Sequence, residues 1–126
     1  MPLQPLSYLE FDHSDDEDGH GSFDAMAAVD ERRLTELQAE IASVLGWAHG
    51  LFGPAAPLEE GGEWDYQLGG VREVSTPLAV RHDEAAATIE LSEAGPGHPR
   101  VTLTLTLTGT AAFCAAFRAA FVDAMN

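Results

Sequence analysis

The chain has 126 residues, 45% of them hydrophobic, and sets six arginines and no lysine against 21 acidic residues, for a formal charge of −15. That length and apolarity support one core and exclude general disorder, and the charge leaves no electrostatic footprint for nucleic acid or an anionic membrane. Without lysine there is no Schiff base and no P-loop. A single cysteine, Cys114, excludes an internal disulfide and a multi-thiolate metal centre, as suits a reducing compartment.

Taken in chain order, the opening MPLQPLSYLEF lacks a basic n-region and a long apolar h-region, and no stretch reaches the ~18 apolar residues of a membrane span. The expected location is the cytoplasm. Leu6 to His13 alternates, with Leu9 and Phe11 opposed to Tyr8, Glu10 and Asp12, which predicts a first strand. Residues 14–21, SDDEDGHG, hold no apolar side chain and read as a solvated connection. Ser22 to Val29 alternates again, with Phe23, Ala25, Ala27 and Val29 on one face, so the two strands should form an acidic-tipped antiparallel hairpin.

Asp30 is a helix N-cap, with Val29 and Leu34 spaced as a hydrophobic staple. Leu34, Leu37, Ile41, Val44, Leu45 and Ala48 then recur at steps of three and four until Gly53 and Pro54 stop the helix after Leu51. Residues 53–63 read as a loop. Trp64, Tyr66 and Leu68 begin a third strand, and Gly69-Gly70 suggests a bulge or turn before Val71 to Val74. Leu78 to Leu91 fits either one irregular strand or a short hairpin. Arg100 to Thr108 is the clearest strand, with Val101, Leu103, Leu105 and Leu107 on one face and four threonines on the other. Such an edge would invite strand addition, so it should be internal or covered. Thr110 caps a last helix over Ala111 to Met125, where Phe113, Phe117 and Phe121 form a core stripe.

The order ββαββ(β)α predicts one α+β domain over 1–126. It should be a two-layer sandwich whose mainly antiparallel sheet of four to six strands carries two helices on one face.

The acidic loop is the first candidate site, because Asp12, Asp15, Asp16, Glu17, Asp18 and Asp24 stand with His13 and His20 within thirteen residues. Hard divalent cations take such oxygens, which makes Asp12, Asp15, Asp16, Asp18 and His20 the candidate metal ligands and a divalent cation the one candidate cofactor. The fit to known loops is poor. Asp16, Asp18 and Gly19 match an EF-hand at positions three, five and six, but Ser14 and Ala25 occupy positions one and twelve. His13 and His20 also lack helical metal spacing. Glu10, Asp12 and Asp24, with Glu63 and Asp65, could divide acid and base roles only if burial separated them. His82-Asp83-Glu84 has no nucleophile elbow to serve, and Cys114 reads as a core residue.

Three segments, YLEFDHS at 8–14, GEWDYQL at 62–68 and GTAAFCAAFRAAF at 109–121, resemble a family of small bacterial proteins without an assigned activity. The resemblance implies no catalytic or binding residue. The expected function is a non-enzymatic binding or interaction protein acting as a homodimer. Two alternatives stand beside it: a divalent-metal protein or hydrolase built on residues 12–24, and an acidic inhibitor or immunity-type protein covering a basic partner.

Overall fold

The computed structural model describes residues 5–126 and contains six strands and two helices. In order they are β1 (Asp12–Asp15), β2 (Gly21–Asp30), α1 (Leu34–Phe52), β3 (Trp64–Ser75), β4 (Leu78–Asp83), β5 (Thr88–Glu93), β6 (His98–Gly109) and α2 (Ala111–Ala120). Four strands form an antiparallel sheet in the order β1-β2-β6-β3, and β4 pairs with β5 in a separate two-stranded sheet. The α+β class and the two-helix, mainly antiparallel pattern are as the alternation predicted. Residues 78–91 are a hairpin, so four strands rather than two or three separate the helices.

The threonine-rich β6 is internal. It pairs with β2 from Gly21↔Gly109 to Asp30↔Arg100 and with β3 from Trp64↔Gly109 to Ser75↔His98. Period two then sorts the side chains: Phe23, Ala25, Ala27, Val29, Val101, Leu105 and Leu107 are buried, while the threonines at 102–108 stay half-exposed. The buried stripes of α1 (Leu37, Ile41, Val44 and Ala48) and α2 (Phe113, Cys114 and Phe117) close the same core. Phe117 is its hub, with ring centroids 4.4 Å from Phe23, 5.0 Å from Phe11 and 4.9 Å from Phe121. Burying one such ring is worth about 2–3 kcal/mol, and an edge or offset contact adds to that. Thr110 caps α2 by accepting from the Phe113 amide, whereas Asp30, accepting from the Arg32 amide, caps a 3-10 turn over Glu31–Arg33 and α1 itself begins at Leu34 without a side-chain cap.

Four expectations need correction. The first strand is Asp12–Asp15, not Leu6 to His13, because the Ser7, Tyr8 and Leu9 amides donate to the Glu40 carboxylate on α1 instead of to β2. Leu9 and Phe11 are nevertheless buried, and Phe11 pairs with the chain end through Phe11 N–H to Ala124 O (2.8 Å) and Asn126 N–H to Phe11 O (3.0 Å). The connection after β1 shrinks to residues 16–20 for the same reason. Third, Gly69-Gly70 makes neither bulge nor turn: β3 is one strand in unbroken register with β6, and a side chain at Gly69 would sit 2.7 Å from the Thr104 hydroxyl. Last, α2 stops at Ala120, where Phe121 (φ −120°, ψ 37°) leaves the helix so that the terminus can turn back to Phe11.

Candidate functional site: an acidic end and an apolar arm

At one end of the sheet the β1–β2 turn is built by Asp16, whose Oδ1 accepts from the Asp18 and His20 amides at 2.8 and 2.9 Å. This is an Asx-type turn, so the carboxylate is spent on backbone. Asp12 accepts from the Asn126 amide nitrogen at 2.8 Å, and Asp24 accepts from the Thr106 hydroxyl at 2.7 Å on the helix-free face. Asp15 lies 2.9 Å from His13 Nε2, and His20 Nδ1 is 3.8 Å from Asp16. The predicted ligands Asp12, Asp15, Asp16, Asp18 and His20 thus share a neighbourhood but aim apart. Among the described residues, no three His, Cys, Asp or Glu side chains converge to hold a metal ion.

What the acidic residues do line is an open groove of about 740 Å³, where Asp15, Asp16 and Asp18 face Glu59 and Asp65 from the other side of the chain. Of the second carboxylate group, Glu63 accepts from the Thr110 hydroxyl at 2.7 Å and Asp65 accepts from the Tyr66 amide at 2.9 Å. Both serve local structure. His82-Asp83-Glu84 lies on the β4–β5 hairpin, where Asp83 accepts from the Ala86 amide at 3.1 Å and closes the turn.

One grouping was not readable from the sequence. A methyl group at Gly21 would lie 2.7 Å from Cys114 Sγ and 3.0 Å from both Asp15 Oδ1 and His13 Nε2, so β1 and α2 crowd this glycine from around its missing side chain. The thiol is 2% exposed, contacts Gly109 O at 3.6 Å, and is pushed up from the ordinary cysteine value first by burial. A covered, protonated thiol packs and does not attack. Gly21 is glycine because nothing larger fits.

The other end of the molecule has the opposite character. Past Asp30↔Arg100 the β3–β6 ribbon has no third strand among the described residues, and it runs on into β4–β5 as a projecting arm. Cross-strand pairs Val80↔Leu91, Leu78↔Glu93 and His82↔Ile89 put Leu78, Val80, Ile89 and Leu91 on one face, while Arg81, Asp83, Thr88 and Glu90 lie on the other. These four aliphatic side chains, with Leu68 and Val74 of β3, are 52–65% exposed. Where the arm meets the body, an apolar groove of about 510 Å³ opens between α1 (Gln38, Ile41, Ala42, Leu45) and the strand residues Leu68 and Leu103.

No known protein family, curated protein or solved structure matches the chain. The site is therefore read from its own geometry. Among the described residues, no helix is long and apolar enough to cross a membrane.

Proposed function

We propose that this chain is a non-enzymatic binding protein that works as a homodimer, joined through the arm, with its two acidic ends left free. The observation that carries the reading is the amphipathic β4–β5 hairpin, whose apolar face has no layer over it among the described residues. A two-stranded hairpin alone is marginal in water, and an exposed apolar strand face is an association surface. The six exposed aliphatic side chains leave roughly 100 Å² each in water, on the order of 600 Å² in all, against the ~800 Å² each partner buries in a standard interface. The covered thiol of Cys114 supports placing the protein in the reducing cytoplasm.

Light scattering on the eluting peak tests this directly. The wild type should have twice the chain mass at micromolar concentration, and the Val80→Asp, Leu91→Asp pair should have the mass of one chain with an unchanged circular dichroism spectrum. A monomeric wild type up to about 100 μM, a dissociation constant too weak for a standard interface, ends the reading.

The acidic groove favours a second role for the free ends, covering a basic surface on another protein. Salt separates the two contacts. Screening the repulsion between chains of charge −15 tightens the dimer, whereas it weakens capture of an arginine-rich peptide used as a probe of the groove. If the peptide binds equally with Asp15, Asp18 and Glu59 changed to Asn or Gln, the groove has no such role. The divalent-cation reading gains nothing from the geometry. A rise in melting temperature with calcium, magnesium, manganese or zinc that disappears in the Asp15, Asp16, Asp18 to Asn triple variant would restore it.

A further inference from the structure

We infer that the two copies pair antiparallel, the tip of each arm lying over the groove between α1 and β3 of the other. This rests on the homodimer reading and adds its arrangement. Three observations converge on it.

The first is continuity. Except for Val71, which pairs with Thr102 on the helix-free face, the exposed aliphatic residues are even-numbered on β3–β4 and odd-numbered on β5, which is the parity of the buried residues Trp64, Val101 and Leu105, so the arm's apolar face prolongs the core face of the sheet. The groove beside Leu68 and Leu103 lies where that face emerges from under α1. One track, apolar except for Arg72, which is paired to Glu31, and for Glu93 and His82 opposite Leu78 and Ile89, therefore runs from the groove to the tip.

The second is charge. Residues 71–101 hold three of the six arginines and only five of the 21 acidic residues, while nine acidic residues fall between Glu10 and Glu31. Past Asp30↔Arg100 the arm itself, residues 74–99, holds one arginine and four acidic residues, a net −3, against a net −9 over residues 10–31, so two copies approach with less repulsion at their arms than at their acidic ends.

The third is steric. Two sheet faces pack about 10 Å apart, but each body already carries a helix layer about 10 Å thick on the face the arm must use. Arms lying parallel, tip to tip, would drive two helix layers into the same space. Turning one copy end for end places each helix layer beyond the other's tip and brings Val80, Ile89 and Leu91 over the groove of the partner copy. Both contacts are then the same contact, as a two-fold axis requires.

Disulfide trapping tests the arrangement separately from the dimer. Val80 is 65% exposed and Gln38, at the groove, is an exposed polar residue, so Val80→Cys and Gln38→Cys should both leave the fold intact, while native Cys114 is covered. The two variants, one carrying a mass tag, are unfolded, refolded together and oxidised. A disulfide needs Cα atoms within about 7 Å, so the mixed 80–38 product should exceed the 80–80 product by about tenfold or more. Dominant 80–80 product, or neither product in a sample that scatters as a dimer, overturns the antiparallel arrangement and leaves the homodimer standing. A monomer by scattering removes both.

Discussion

The same two strands, β3 and β6, run through both ends of this molecule and meet different fates. At the body end Trp64 is 2% exposed, its indole N–H donates to Gly53 O at 2.9 Å, and its ring stacks on Phe113 at 5.9 Å. At the arm end Val74, on the same face of the same strand, is 61% exposed. The difference is the presence of a second layer. α1 and α2 cover the sheet as far as their lengths reach, and beyond them an identical alternation of apolar side chains has only solvent, or another chain, to face. A strand pattern supplies an apolar face and not its cover.

The largest effect should come from the body. Phe117→Ala removes the ring that touches Phe11, Phe23 and Phe121 and should cost about 3–5 kcal/mol in urea unfolding. A loss under about 1 kcal/mol, the range of an exposed site, would mean that the two ends do not differ as described. The converse experiment excises the arm. Joining Ser75 to His98 through Asn-Gly should leave the body's stability within about 1 kcal/mol while abolishing self-association, because β3 and β6 keep every pair from Trp64↔Gly109 to Ser75↔His98. If the excised body fails to fold, the arm is part of the core.

A smaller change sharpens the arm itself. Ala87, in the turn between β4 and β5, has φ 56°, a left-handed conformation that costs a residue with a Cβ about 1 kcal/mol. Ala87→Gly should slow hydrogen exchange of the β4 and β5 amides with no change in those of β2.

The smallest expected effect is on pH dependence. The Arg32 side chain holds Asp30 below its ordinary value, and the hydrogen bond from the Tyr8 hydroxyl does the same for Glu36. Folding therefore favours the ionised form of both, so their stabilisation is full above the ordinary carboxylate values and is lost as pH falls through the lowered ones. The gap in urea midpoint between the wild type and the Asp30→Asn, Glu36→Gln variant should be open at pH 7 and close between about pH 5 and 2. A gap that is constant with pH would show that neither carboxylate acts through its charge.

Much of the fold could be read from single residues. Thr110 caps α2 as expected, Asp30 caps the turn that leads into α1, Gly53 ends α1, and the alternations of β2 and β6 report their buried faces because a two-residue period is imposed by the backbone itself. The alternation rightly sets Leu9 and Phe11 on one side, which is buried, but in a strand that begins only at Asp12. Burial is written in a side chain's chemistry, whereas the Glu40 and Ala124 partners of that segment lie 31 and more residues away. The acidic residues show the same limit. Their number is plain, but whether Asp12, Asp15, Asp16 and Asp18 converge or diverge depends on which neighbour each one hydrogen-bonds.

The sequence by itself determined the two helices, the buried faces of β2 and β6, the α+β class and the sign of the charge, all of which follow from local conformational preference and composition. The tertiary structure alone decided that 78–91 is a hairpin at the end of an arm, that the carboxylates line a groove and, among the described residues, form no cage, and that Cys114, His13 and Asp15 all crowd Gly21. Those outcomes turn on how far a helix reaches over a sheet and on which distant strands adjoin, and neither is encoded in the periodicity of any one segment.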